Sequence, residues 1–145
     1  MPSRSYKGEM KYRAIKKTMT TSAGCRFCGF QDQSRKDEIL ENHKYFWLVK
    51  NIFPYHIWDD QNIEDHIMLV PKRHIISIGD MNDDELLEYS KVIGKYDKLG
   101  YSVYARSAQN TLKSIPHQHS HLLKLDNKEI TFMVYNKKPY VLIKR

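Results

Sequence analysis

The chain lacks any long apolar run. No stretch approaches the roughly 18 consecutive apolar residues that cross a bilayer as a helix, and Met1-Pro2-Ser3-Arg4-Ser5-Tyr6-Lys7 leads into no apolar segment of the secretory-signal kind. A cytoplasmic protein with no membrane partner is the expectation. Internal repeats and low-complexity tracts are also missing. Acidic residues are in deficit, 17 against 24 Lys and Arg, for a net charge of +7. Cysteine occurs only twice, at Cys25 and Cys28. A Cys-x-x-Cys pair in a reducing compartment is half of a zinc site or a redox pair. A redox pair would open a helix after a strand, whereas this one follows the loop-like Thr20-Thr21-Ser22-Ala23-Gly24. With no third cysteine, the remaining ligands of a zinc site must be His, Asp or Glu.

What is present suffices for one folded domain. The 145 residues are 41% apolar and 12% aromatic, enough for a single core. The first twenty residues hold Arg4, Lys7, Lys11, Arg13, Lys16 and Lys17 against one acid, Glu9. They read as a basic arm in which Tyr12, Ile15 and Met19 recur at helical spacing, and residues 21–145 read as the domain. Basic balance favours phosphate-bearing partners, although a solvated tail is the plainer account of the arm.

Residues 45–50 are aromatic and β-branched and read as a strand, while 31–42 is polar and fits helix or loop. Residues 59–65 are acidic and loop-like. His66-Ile67-Met68-Leu69-Val70-Pro71 reads as a buried strand ending at a proline. Asn82 or Asp83 caps a helix reaching about Leu99, striped by Leu86, Tyr89, Val92, Ile93 and Tyr96, with Gly100 at C′. Residues 102–106 read as a short strand and 107–113 as a loop. Two segments, 130–135 and 140–143, flank Asn136-Lys137-Lys138-Pro139 and read as a hairpin. The sum is an α+β domain with a largely antiparallel sheet and one long helix.

The most informative stretch is Ser114-Ile115-Pro116-His117-Gln118-His119-Ser120-His121-Leu122-Leu123. On an extended strand the histidines at i, i+2 and i+4 share a face, whereas a helix would turn His119 away. Pro116 argues against a helix interior. Such a row suits metal binding, proton transfer or nucleophilic attack. A solvated, histidine-rich edge strand is the bland alternative. A purification tag does not fit an interrupted, internal run flanked by core-like residues.

This run resembles the signature of the histidine triad (HIT) family, and the resemblance covers roughly residues 24 to 125. Pro71-Lys72-Arg73-His74 resembles that family's Pro-Lys-x-His element, and Cys25-Arg26-Phe27-Cys28 its zinc-bearing branch. The resemblance implies a HIT-like fold, usually a homodimer, with structural zinc on Cys25, Cys28, His74 and His117, and His66 as the substitute ligand for His74. It implies His119 as a nucleophile attacking an α-phosphate, His121 as a hydrogen-bonding partner of the phosphoryl group that helps protonate the leaving group, and Ser114 as a phosphate ligand. His66, Asn51 and Phe46 would face the nucleotide. Two departures add charge: Leu112-Lys113 stands where many relatives have Gly-Gln, and Arg106 where many have asparagine. Both would sit beside the phosphates, or be solvated loop residues. The implied activity is hydrolysis or transfer on a purine nucleotide or its conjugate, such as a dinucleoside polyphosphate or nucleoside phosphoramidate. The same chemistry on adenylylated DNA or RNA ends, reached through the basic arm, is the alternative. A non-enzymatic nucleotide-binding module is a third reading.

Overall fold

The computed structural model describes residues 4, 6–19, 24–31, 33–137 and 140–144. Helix α1 spans Tyr6–Met19 and is nearly as long as α2, Asp83–Asp97, with 14 residues against 15. The strands are β1 (Ile39–Asn42), β2 (Phe46–Lys50), β3 (Ile57–Trp58), β4 (Gln61–Pro71), β5 (Tyr101–Ala105), β6 (Ser120–Glu129), β7 (Met133–Lys137) and β8 (Tyr140–Lys144). One antiparallel sheet runs β1-β2-β4-β6-β5 with β3 paired to β4, and β7 and β8 form a separate hairpin. The expected α+β architecture is present. The loop through residues 20–23, the turn at 138–139 and the Met19 side chain fall outside the described residues.

Strand alternation divides the core into two layers, because successive side chains point to opposite faces. Phe46, Leu48, Ile67, Leu69 and Leu122 join Ile75, Met81, Val92 and Tyr96 on the α2 side. Trp47, Val49, Met68 and Val70 join Phe27 and Phe30 on the other. Phe46 therefore does not wall a nucleotide pocket. It is fully buried on the α2 side, its ring 5.9 Å from Tyr89.

Helix α2 starts where its capping chemistry requires. Asn82 Oδ1 accepts the Glu85 N–H at 3.0 Å, and Glu85 Oε2 accepts the Asn82 N–H at 2.9 Å. Arg73 forks onto the buried Glu85 carboxylate at 3.0 and 2.7 Å, tying the segment after β4 to the helix start. Its guanidinium holds the Glu85 carboxyl below the usual range. The stripe differs at one position, since Leu86 is exposed while Glu85 is buried. The helix ends at the C-cap Lys98, so Gly100, at φ +84°, stands one residue beyond C′ and donates to Asp97 O at 2.9 Å.

Residues 59–65 are not a loop. Asp59 and Asp60 have φ of 48° and 59° and join the two-residue β3 to β4, as in a hairpin turn with both central residues left-handed. From Gln61 the chain is already strand, so His66 lies mid-strand. Cys28–Gln31 and Gln33–Glu38 form 3-10 turns before β1. The last hairpin begins at Met133, after β6 has run on to Glu129.

Leu122 and Val103 face each other across β6 and β5, at 0% and 41% exposure. Leu122→Ala should cost ~2–5 kcal/mol of unfolding free energy, and Val103→Ala within about 0.5 kcal/mol. Urea denaturation of the two variants checks this, and equal losses would contradict the two-layer core.

Candidate functional site

The triad begins before its strand. Pairing starts at Ser120, so His117 and His119 sit in an irregular extended approach, and only His121 lies in the ladder. The expectation of three histidines lined up on one strand is corrected accordingly. Gln118 anchors the approach by donating its N–H to Ile75 O at 2.6 Å. Free of the ladder, the His117 ring turns away to meet His74, 4.8 Å between centroids, while His119 and His121 stay edge to face at 5.1 Å. Ser120 points to the helix layer and bonds Tyr89 at 2.8 Å.

Cys25, Cys28, His74 and His117 come together, their ligand atoms all within 4.8 Å of one another. Cys25 Sγ and Cys28 Sγ lie 3.3 and 3.6 Å from His117 Nδ1, and Cys28 Sγ lies 3.3 Å from His74 Nδ1. Tetrahedral bonds of ~2.0–2.3 Å put ligand atoms about 3.3–3.8 Å apart, so the set has the dimensions of a metal site. The tautomer agrees. His117 Nε2–H donates to Pro71 O at 2.9 Å, which leaves Nδ1 unprotonated toward the cysteines, an outer-shell device typical of ligating histidine. Burial and the neighbouring Cys25 push the Cys28 thiol up; a bound cation would reverse that by favouring thiolate. These four residues could hold a metal ion. His66, the substitute considered for His74, lies outside this group.

His119 donates Nδ1–H to its neighbour's carbonyl, His117 O, at 2.8 Å. Its Nε2 therefore carries a lone pair. Burial, opposed by that bond and helped by Lys113, His117 and Arg106, lowers His119 to about 4, so the ring is neutral near pH 7. Phe27, from within the Cys-x-x-Cys loop, packs its edge on both His119 and His117, at 5.0 and 5.7 Å.

A second histidine pair sits beside the first. The Tyr55 N–H donates to His66 Nδ1 at 3.0 Å, which puts the His66 proton on Nε2. That nitrogen lies 2.9 Å from His121 Nδ1, so His66 donates and His121 must carry its proton on Nε2. Asn51 accepts the Phe53 N–H on Oδ1 at 2.9 Å, which turns its amide nitrogen to within 2.9 Å of His66 Nε2, a contact of two donors that an acceptor from a ligand would relieve. Burial first, then Arg4 and His119, lower His66 to about 3. Burial, His119, His66, Arg106 and Arg4 hold His121 well below the ordinary imidazole range.

His119 and His121 open into a cleft of about 780 Å³, which Asn51, Ser114 and Arg106 also line. That size suits a small-molecule ligand. Lys113 is not among the lining residues; its ammonium donates to Ile76 O at 2.7 Å and Gln118 Oε1 at 2.8 Å. Three contributors were missed from the sequence: Phe27, Tyr55 and Arg4. Phe27 had a signal, standing inside the cysteine motif. Tyr55 acts through its backbone N–H, and Arg4 acts across 49 residues at Phe53; neither leaves a local pattern.

No family model and no curated protein matches the sequence. Solved structures do. The chain superposes on a HIT family hydrolase from Clostridium thermocellum with a TM-score of 0.56 at 18% identity, covering 75% of this chain and 97% of that one. A histidine triad protein from Clostridium difficile gives 0.53 at 21%, covering 75% and 96%. A histidine triad nucleotide-binding protein from Candida albicans gives 0.53 at 21%, covering 81% and 86%. The chain has the histidine triad fold. In the HIT fold of this chain, the triad approach, the segment after β4 and the cysteine loop converge at one end of the sheet.

The buried imidazoles set a pH dependence of stability. Above pH 6.5 they are neutral in both folded and unfolded chains. As pH falls from about 6.5 toward 4, the unfolded chain takes up protons that folded His66 and His121 refuse. The melting temperature should therefore drop across that window, and less steeply in a His66→Gln, His121→Asn double variant. Parallel profiles for the two proteins would contradict the neutral pair.

Proposed function

We propose that the protein is a HIT-type nucleotide hydrolase or transferase that attacks an α-phosphate through a nucleotidyl-His119 intermediate. The observation that carries this reading is the His119 Nδ1–H bond to His117 O, which leaves a neutral ring with Nε2 free at the cleft. A nucleophile needs that arrangement: one nitrogen unprotonated, the other held by an acceptor, and no proton to lose before attack.

In this reading the P–N bond to His119 Nε2 forms as the bond to the leaving group breaks. Water then splits the P–N bond and releases the nucleoside monophosphate. His121, its proton fixed on Nε2 by His66, offers that N–H to the phosphoryl oxygens and to the departing group. Ser114 and Arg106 supply further donors to the phosphate. Asn51 takes the nucleoside side, and His66, which is buried and not among the cleft-lining residues, acts through His121. Lys113 acts at a distance, holding Gln118 and with it the backbone between the two working residues.

The metal in this reading is zinc, bound by Cys25, Cys28, His74 and His117. When bound, it would supply a closed structural anchor for His117; the chemistry belongs to His119. The substrate class is a dinucleoside polyphosphate or nucleoside phosphoramidate, and a homodimer in the cytoplasm is part of the same reading. One observation favours a second substrate class. The basic arm, with Lys7, Lys11 and Arg13 exposed on α1, is joined to the cleft itself through Arg4, which suits adenylylated nucleic-acid ends.

The test is AMP release from diadenosine tetraphosphate, adenosine phosphoramidate and adenylylated DNA, in wild type and His119→Ala. At least one substrate should turn over, with a loss of roughly 10³-fold or more in the variant; equal rates would exclude His119 as the nucleophile. Elemental analysis should find about one zinc per chain. A Cys25→Ala, Cys28→Ala double variant should lose it and melt several degrees lower. Wild-type protein with no metal after purification in zinc-containing medium would contradict the structural anchor.

A further inference from the structure

Two guanidinium groups converge on one buried tyrosine at the edge of the cleft. Arg4 lies over the Tyr55 ring, with Cζ 4.8 Å from its centroid, and Arg106 Nη2 lies 3.5 Å from the Tyr55 hydroxyl. The Tyr55 ring is itself 4.9 Å from His66 and 5.4 Å from His121. Arg4 is fixed in place. It is sandwiched between Tyr55 and Tyr12, whose centroid is 4.1 Å away, and Nε donates to Phe53 O at 3.0 Å. Its side chain is only 16% exposed. The arm's α1 is thereby stapled beside the site, with Tyr12 edge-on to Phe53 at 5.5 Å.

The arrangement gathers positive charge that Glu9 offsets only in part. Two cations brought to one ring beside neutral imidazoles repel each other in a poorly screened cleft. Glu9, the acid nearest Arg4, stands 3.6 Å away and is held more closely by Arg13, at 3.0 Å. Stacking of guanidinium on tyrosine holds the charge in place without neutralising it.

We propose that Arg4 and Arg106, across Tyr55, form a subsite for a second phosphate group of the substrate, beyond the one that His119 attacks. The arm is then part of the binding site, and the cleft selects compounds bearing more than one phosphate. The inference rests on the nucleotide reading above and adds to it Arg4, a charge delivered from outside the triad domain. A contiguous phosphate chain and the phosphates of a nucleic-acid strand share this chemistry.

Calorimetric titration of the full chain, in a His119→Ala background that forms no covalent intermediate, separates this subsite from the chemistry. The ligands are adenosine, AMP, ATP and a 5′-phosphorylated tetradeoxyadenylate. Arg4→Ala should raise the ATP Kd ~10-fold, the AMP Kd by no more than about 2-fold, and leave adenosine unchanged. Arg4→Lys should restore part of the loss, since charge is kept and the planar stack is not. Glu9→Gln should tighten ATP by removing a competing carboxylate. A loss for ATP alone assigns the subsite to a phosphate chain; a loss for ATP and the tetranucleotide assigns it to either source. An unchanged ATP-to-AMP ratio, or equal losses for all ligands including adenosine, overturns the proposal. Should none of these four bind the parent protein, the nucleotide reading falls, and inorganic tripolyphosphate decides the subsite alone: binding that Arg4→Ala abolishes sustains it, and no binding overturns it.

Discussion

A single hydrogen bond, from His119 Nδ1–H to the carbonyl of His117 at 2.8 Å, sets the character of the whole site. It fixes one tautomer, and with it the direction of the lone pair. The carbonyl it uses is covalently joined to a ring that is itself pinned, Nε2–H on Pro71 O and Nδ1 toward two cysteine sulfurs. His117 therefore couples two functions through one residue. Its side chain belongs to the group that could hold a metal ion, and its backbone carbonyl serves His119. Anything that loosens the cysteine loop rotates His117, and rotation of His117 moves the acceptor on which the neighbouring ring depends. The departure from regular strand at 117–119 is what permits this. Within a ladder, the carbonyl would be committed to a partner strand.

The rest of the fold holds that irregular segment still. Gln118 is tied at both its backbone and its side chain, to Ile75 and Lys113. Ile75 sits in the core against α2, and the adjoining His74 is carried by a segment that Arg73 clamps to Glu85 at the helix start. The helix cap, the segment after β4 and the triad approach thus form one chain of contacts that runs from α2 to the edge of the cleft, which His74 and His119 line. Strand alternation supplies the remaining order, since it sends Phe46, Leu48 and Leu122 to the helix and leaves the other face for the histidines.

The parts legible in the sequence were those whose signal is local. Alternating histidines, the Cys-x-x-Cys pair and the N-cap of α2 all reside within a few residues, and each has a short-range physical cause. The metal cluster was named through the family resemblance, since two cysteines and seven histidines alone leave its other members open. What escaped was set by long-range geometry or by misleading composition. The acids of 59–65 concealed a strand, because only Asp59 and Asp60 turn and the remainder pairs with β3 and β6. Phe46 was misplaced because an aromatic strand offers both faces, and only the position of α2 decides which is dry. Tyr55 escaped because the partners of its N–H, ring and hydroxyl, namely His66, Arg4 and Arg106, are distant in sequence.

Electrostatics closes the argument. Arg4 and Arg106 depress the imidazoles they approach, acting after burial. A neutral ring is what attack on phosphorus requires, so in the proposed reading the same positive charges serve twice: they hold the histidines unprotonated in the free protein and attract the anion that the histidines act on. Binding changes the balance. Phosphate oxygens arriving among the guanidiniums offset their charge and relieve the depression, making a proton on His121 cheaper to hold just as negative charge gathers on the phosphoryl group. A cleft built from acids could lower no imidazole in this way, and one built from apolar residues alone could not attract the substrate. In that reading two of the chain's excess cations, Arg4 and Arg106, link protonation of the histidines to occupancy of the cleft.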